Sequence, residues 1–288
     1  MKTVIVDRKN VELAVKRSGI VVDDQHIPYR LIDILVLASD TRLSSQVLLA
    51  ITKERIPILV INRTNSHFCL TLPLEAKNTE LKMAQYASVA SSRLGFAKYF
   101  LAEKIRSHAV HLRTMGVSVD TETWVKKVED AQAVEELLGI EGGFSRLYFR
   151  HYFTFFPKNL HKGKRSKRPP EDPVNAVLSY LYSWFYHLLT ARLYLFGLDA
   201  SLSYLHEPFR SHNGLSSDLL ELFRADINRL ALGWFDDELL KDVDFTRKNG
   251  VWIRYESRKR LWSELKEFGR DLMPRIDDEI ALLRAAIT

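Results

Sequence analysis

The sequence predicts an α+β protein, with a small β-rich N-terminal domain over residues 1–74 and a larger all-α domain over residues 75–288. Two observations carry this. Short β-branched runs, "TVIV", "GIVV", "DILVLA" and "PILVI", crowd the first part of the chain and are separated by polar or turn-prone pieces such as "DRKN" and "NRTNS", the pattern of short strands. From Glu75 the texture changes to alanine- and leucine-rich stretches with helical spacing. The change falls at "TLPLEAK", residues 71–77, and no internal repeat crosses it. A chain of 288 residues with 46% hydrophobic content is long enough for one large or two modest cores.

Taken in order, "LSSQVLLAITKERI" interrupts the strands with one short helix: Val47, Leu48, Ile51 and Ile56 share helical spacing, and serines precede them as caps. "LKMAQYASVASSRLGFAKYFLAEKIRSHAVHLRTMG" then runs without proline to a stop at Gly116, as one long helix or two in succession. Further helices are expected at 122–138, 143–156, 173–196, 216–232 and 259–285. Asp172 as N-cap and Pro173 at the first helical position open the third of these. Near the end, Asn249 and Gly250 before "VWIRY" signal a small hairpin, and the basic "SRKR" opens the last helix.

Composition narrows the setting. The net charge is +6 and the pI about 9.2, which suits a polyanionic partner without requiring one. A single cysteine, Cys69, leaves no intrachain disulfide and no thiolate zinc site, which points to a reducing, cytoplasmic setting. Charges at Asp7, Arg8 and Lys9 break the N-terminus before any signal-peptide core forms, and no run reaches the roughly 18–20 apolar residues of a membrane span. No membrane partner is expected. The signatures of phosphate loops, dinucleotide folds, zincins and serine hydrolases are all missing.

Three places hold residues that can do chemistry. In "LHEPFRSHNGLSSDLLELF", Asp218 and Glu221 fit a D-x-x-E capping box at a helix start. Being three apart on one helix face, they also fit a metal site to which the turn around Gly214 returns His206. Two carboxylates and an imidazole suit magnesium or manganese, since hard oxygen donors dominate. In "LLGIEGGFSRLYFRHYF", Glu141 is the best further ligand; its other reading is the N-cap region of a helix beginning near Gly143. The third place is "KNLHKGKRSKRPPEDP", where Lys158, Lys162, Lys164, Arg165, Lys167 and Arg168 cluster without an acid. It reads either as a solvated surface loop or as a phosphate-neutralising one. Tyr148, Tyr152 and Phe155 beside it share helical spacing and are assigned to the core.

Four blocks, in this order, carry a resemblance: "LLGIEGGFSRLYFRHYF" with Glu141, "KRPPEDPVNAVLSYLYS" with Asn175, "GLDASLSYLH" with His206, and "SDLLELFRADINRL" with Asp218, Glu221 and Arg224. "IPILVINRTN" in the N-terminal part also fits. Together they resemble the CRISPR-associated integrase-endonuclease of spacer adaptation, the first-numbered Cas protein family, over nearly the whole chain.

The resemblance implies a helical catalytic domain whose Mg2+ or Mn2+ is held by Glu141, His206 and Glu221, with Asp218 as a further, catalytic carboxylate in the same pocket. It implies nucleic-acid contacts at Lys162, Lys164, Arg165, Lys167, Arg168 and Arg224, and pocket support from Asn175. The implied reaction joins the 3′-hydroxyl of a short DNA fragment to a CRISPR repeat. The implied partners are double-stranded DNA with exposed 3′ ends, CRISPR repeat DNA, a second copy of the chain paired through the β-rich domain, and a small ferredoxin-fold Cas protein. Two other readings remain open on the sequence: a stand-alone metal nuclease acting on branched DNA, and a nucleic-acid-binding scaffold without catalysis.

Overall fold

The computed structural model describes residues 3–62, 67–73, 79–207 and 212–288. The change of texture at residues 71–77 lies partly outside them. The chain forms two compact units: residues 1–84 with 187–198 and 258–288, and residues 85–186 with 199–257.

The first unit is built on strands β1 (Thr3–Val6), β2 (Val11–Lys16), β3 (Gly19–Val22), β4 (Gln25–Pro28), β5 (Ile34–Leu37), β6 (Thr41–Arg42), β7 (Ile58–Ile61) and β8 (Phe68–Thr71), with helix α1 (Ser45–Lys53) between β6 and β7. One sheet has the order β1-β5-β7-β8, parallel up to β7; the other has the order β4-β3-β2-β6. All four residues of β5 are buried, as expected of a parallel strand inside a covered sheet, which reads as an unbroken apolar run. β2 instead alternates, with Val11 and Leu13 inward and Glu12 and Ala14 outward. Leu13, Ile20, Leu35, Leu37, Val47 and Ile51 from both sheets and α1 share one core. Ser44 caps α1 by accepting from the Val47 N–H at 3.3 Å, as the serines before it led us to expect.

Helices follow as α2 (Thr79–Ser91), α3 (Arg93–Thr114), α4 (Thr121–Asp130), α5 (Val134–Tyr152), α6 (Pro173–Leu195) and α7 (Gly214–Asp236), then strands β9 (Phe245–Arg247) and β10 (Val251–Ile253), then helices α8 (Tyr255–Arg260) and α9 (Trp262–Ile287). The long alanine-rich stretch is therefore two helices, parted at Ser92, and it stops at Gly116 with φ +78°. Asp172 caps α6 through the Asn175 N–H at 2.8 Å. Asn249 and Gly250, both with positive φ, turn the β9–β10 hairpin. The apolar stripe of α9, including Leu272, Ile276 and Ile280, belongs to the strand-rich unit. There Trp262 donates to Asp7 at 2.7 Å and the Arg192 guanidinium is bidentate on Asp277.

Two expectations are corrected. Residues 134–152 form one helix, so Glu141 lies in the middle of α5 and not at a helix start. Gly142 and Gly143 do not break it. A Cβ at Gly143 would meet the Trp124 ring at 3.2 Å, so this glycine serves the close packing of α4 on α5. α7 likewise begins at Gly214 with Asn213 as its cap residue, one turn before Asp218. The capping-box reading of Asp218 and Glu221 fails, because both side chains are buried in the second and third turns.

In the second unit α3 packs against α4, α5 and α7. Its buried stripe runs Ala97, Leu101, Lys104, His108, Leu112, spaced four, three, four and four residues apart, so two polar residues occupy core positions. His108 Nδ1 lies 2.8 Å from the Lys104 carbonyl, and His111 Nδ1 lies 2.8 Å from the Tyr148 hydroxyl. Tyr148 and Tyr152 are fully buried, as their spacing indicated, whereas Phe155, assigned to the core with them, is only half-buried. Burial, and then the nearby Arg229, lowers His111 to about 4; burial, and then Lys104, lowers His108 to about 3.

Both imidazoles are neutral in the folded chain, whereas an unfolded histidine protonates below about pH 6.5. The unfolded state therefore binds more protons as pH falls from about 6.5, and stability falls with it by up to roughly 1.4 kcal/mol per pH unit for each ring. Urea unfolding of His111→Gln is expected to show a shallower loss of stability between pH 6.5 and 5 than the parent chain. An unchanged slope would remove His111 as a cause.

Candidate active site

Three neighbouring helices of the second unit each place a polar side chain where its buried stripe calls for an apolar one. α3 supplies Lys104. α5 has the stripe Val134, Leu137, Phe144, Tyr148, Tyr152, and Glu141 falls four residues after Leu137 and three before Phe144. α7 supplies Asp218, Glu221 and Asn228 along one face, all at most 2% exposed. The site is the layer where these positions meet.

Glu221 is its centre. Arg224 Nη2 approaches Glu221 Oε1 at 2.9 Å, and Lys104 Nζ lies 2.7 Å from Glu221 Oε2. Lys104 also donates to Glu141 Oε1, which accepts from Ser145 Oγ at 2.8 Å. Burial alone would raise both carboxyl groups, but Arg224 and Lys104 hold Glu221 far below the usual carboxylate range, and Lys104 holds Glu141 below it.

His206 stands in the connection between α6 and α7, and Asp218 fixes it. Asp218 is fully buried and accepts from the backbone N–H groups of Tyr204, Leu205 and His206 at 2.6, 3.1 and 3.0 Å. Its Oδ1 is also 2.7 Å from His206 Nδ1. A carboxylate occupied by so many donors accepts from Nδ1–H, which leaves Nε2 with the lone pair in the neutral ring. That Nε2 faces Glu221 Oε1 at 3.7 Å. Burial opposes protonation of His206, but the bond to Asp218 and the field of Glu221 outweigh it and raise its pKa above the ordinary value. Arg93 Nε donates to the Tyr204 carbonyl at 2.9 Å, and Ser203 Oγ donates to that of His206 at 2.7 Å. The start of α7 presses so close that a Cβ on Gly214 would meet Ser203 Cβ at 2.5 Å.

The structure thus brings Glu141, His206, Asp218 and Glu221 together. Asp218 is committed to backbone N–H groups and the imidazole, so it positions His206. Among the described residues, no three His, Cys, Asp or Glu side chains are already arranged to hold a metal ion; Lys104 stands between the two glutamates.

The basic loop divides into two kinds of residue. Lys162, Lys164, Lys167 and Arg168 are exposed, but the ammonium of Lys167 reaches toward the pocket, where burial and then Arg224 lower its pKa; Lys162 and Lys164 lie 3.4 and 3.7 Å from Glu171. Arg165 is turned inward, where Nη1 donates to Asn175 Oδ1 at 2.9 Å and to the Ser166 carbonyl, and Nη2 to Ser179 Oγ at 3.1 Å. Burial first, outweighing nearby Tyr182, lowers it to about 10. Arg224 is also enclosed, on Glu221 and over the Tyr182 ring at 4.5 Å. Arg165 and Arg224 therefore stand in the pocket wall, apart from the exposed lysines of the loop. Asn175 pins the loop, donating to the Lys164 carbonyl at 2.8 Å and to Asp172 Oδ2 at 2.7 Å. The hairpin grips it too: the Val251 N–H donates to the Pro170 carbonyl at 2.8 Å, and a Cβ on Gly250 would meet Pro169 Cβ at 2.5 Å.

Sequence reasoning missed Lys104, Tyr182 and Asn228. The Tyr182 hydroxyl donates to Asn228 Oδ1, and Asn228 Nδ2 donates to the Tyr148 hydroxyl at 2.9 Å, forming a buried polar chain behind Arg224. The available signal was a lysine or asparagine falling in register with a helix's apolar stripe.

Solved structures share this fold. A Cas1 protein of Thermotoga maritima superposes with a TM-score of 0.89 at 22% identity, covering 100% of this chain and 97% of that one. A casposase bound to integration product gives 0.78 at 21% identity, over 93% of this chain and 82% of that one. In sequence, a CRISPR-associated endonuclease Cas1 of Thermodesulfovibrio yellowstonii is 28% identical over 285 residues, 91% of this chain and 89% of the relative. The family model for CRISPR associated protein Cas1 matches residues 2–267, and the chain belongs to the Cas1 family.

Asp218→Asn replaces one acceptor oxygen by an amide donor facing N–H groups. It is expected to cost about 1–3 kcal/mol of stability. The His206 titration followed by NMR should move to lower pH, because the charge-assisted bond at Nδ1 is lost. A His206 midpoint unchanged in the folded variant would show that Asp218 does not hold the ring.

Proposed function

We propose that this chain is a metal-dependent DNA integrase and endonuclease that joins the 3′-hydroxyl of a short DNA fragment to a CRISPR repeat. The observation that carries the reading is the convergence of Glu141, His206 and Glu221, from three separate segments, on one enclosed site. Two carboxylates and one imidazole nitrogen are a donor set that fits Mg2+ or Mn2+, with Nε2 of His206 presented by the grip of Asp218 on Nδ1. Bound by these three residues, the ion supplies charge neutralisation at the scissile phosphodiester.

The chain's own groups do the rest. Arg224 and Lys104 outweigh burial and keep Glu221 ionised at neutral pH. Lys167 and Arg168, exposed on a loop pinned by Asn175 and by the hairpin, neutralise backbone phosphates and set the strand's path. The fragment's 3′-hydroxyl gives up its proton to solvent as its oxygen attacks phosphorus, a new P–O bond forms as the old one breaks, and the cut strand's 3′-oxygen leaves and takes up a proton, so the proton count is unchanged. One phosphodiester replaces another, so no covalent enzyme intermediate is needed. With water as nucleophile the same site hydrolyses DNA.

On the same reading the protein works as a cytoplasmic homodimer, paired through the β-rich N-terminal domain and bridged by a small ferredoxin-fold Cas partner, with double-stranded DNA bearing exposed 3′ ends as substrate. No helix among the described residues is long and apolar enough to cross a membrane.

Supercoiled plasmid carrying a repeat array, incubated with fragment DNA and Mn2+, tests the chemistry. Glu141→Ala, His206→Ala and Glu221→Ala are each expected to reduce joined product by ~100-fold or more while leaving DNA affinity nearly unchanged. Plasmid hydrolysis without joining would favour a stand-alone nuclease, and undiminished joining in all three variants would refute the site. Separately, Lys167→Ala should weaken binding to any DNA sequence alike and reduce the salt dependence of binding by about one counterion.

A further inference from the structure

A lysine at a core position of a helix stripe needs a reason, because burying an ammonium is costly unless it is paired. Lys104 is 2% exposed, and its partners are the two glutamates: it donates to Glu141 Oε1 and lies 2.7 Å from Glu221 Oε2. Arg224 reaches Glu221, so among the described residues Lys104 is the cation that touches both acids. Without it, Glu141 on α5 and Glu221 on α7 would face each other with only Ser145 and Arg224 as partners, and two carboxylates sharing a site repel.

The same contacts set Lys104 against a second cation. A divalent ion held by Glu141 and Glu221 would stand within a few ångströms of the ammonium, and like charges that close repel even at an effective dielectric of about 20. The carboxylates cannot serve both cations fully.

We infer that Lys104 is a positioning residue that acts as the resident counter-cation of this site, holding Glu141 and Glu221 together when no metal is bound and weakening divalent-ion binding by competing for them. The inference rests on Glu141, His206 and Glu221 being the ion site. It makes two contributions of opposite sign: Lys104 stabilises the metal-free protein and destabilises the metal-bound one relative to a neutral side chain. Its consequence is an ion that exchanges readily.

Lys104→Met keeps the length of the side chain and removes the charge. In EDTA its Tm is expected to fall, and adding Glu141→Gln should restore part of the loss by removing one of the two acids that Lys104 joins. Mn2+ titrated into the metal-free protein, followed by the EPR signal of free Mn2+, is expected to bind about tenfold tighter to Lys104→Met than to the parent chain. A lysine with only a structural role would lower Tm and leave Mn2+ binding unchanged or weaker, and that result overturns the inference. Should the single variant not fold, Lys104→Met/Glu141→Gln is compared with Glu141→Gln, and the sign of the change in Mn2+ affinity decides in the same way. Glu221→Gln separates the two levels. If it loses Mn2+ binding while Lys104→Met binds no tighter, only the role of Lys104 fails; if it binds Mn2+ as the parent does, the ion site fails and takes the role of Lys104 with it.

Discussion

A buried carboxylate must find its partners inside the protein, and Asp218 finds four. It takes three consecutive backbone N–H groups, of Tyr204, Leu205 and His206, and the Nδ1 of the same histidine. Charge-assisted bonds of this kind are about twice as strong as neutral ones, and here they tie an irregular segment to the second turn of a helix. The rest of the site depends on that tie. It orients the imidazole, aims Nε2 at Glu221, and sets the level at which residues 204–206 meet α7.

The same economy governs the helices around it. Lys104, Glu141 and Glu221 all interrupt apolar stripes, and each would be unfavourable alone. They are tolerated as a set, because every charge is met: Glu221 by Arg224 and Lys104, and Glu141 by Lys104 and Ser145. The polar chain from Arg224 through Tyr182, Asn228 and Tyr148 to His111 extends this into the core. A network of this type is stiff only while complete, so the packing of α3, α5 and α7 and the geometry of the site are one property.

Much of the fold was legible because the relevant signals are local. The β-branched runs became β1, β3, β5 and β7, Asp172–Pro173 opened α6, and Asn249–Gly250 turned the hairpin. β2 was harder to see, since a strand with one exposed face carries a glutamate at its second position. Glu141, His206, Asp218 and Glu221 could be named from residue chemistry and resemblance, but their roles could not be separated. Local capping rules gave Asp218 to its own helix, whereas it satisfies a different segment, and they read Gly142–Gly143 as a boundary when Gly143 instead admits a neighbouring tryptophan. A composition count likewise pooled Arg165 with the exposed lysines, although Asn175 and Ser179 hold it inside. Lys104 went unnoticed because a lysine on a helix is ordinarily a solvated one, and only the registration of three stripes reveals it as interior.

The meeting of Gly250 with Pro169 makes the hairpin and the basic loop a single mechanical part. Their shapes are matched to within one methyl group, since a Cβ at position 250 would overlap the proline ring. The loop's cations can be exchanged freely at their exposed tips, whereas its length and its prolines are tied to a turn about eighty positions further along the chain. Changes that lengthen or reshape either piece have to arrive in pairs, and a graft of this loop into another scaffold would carry its hairpin with it.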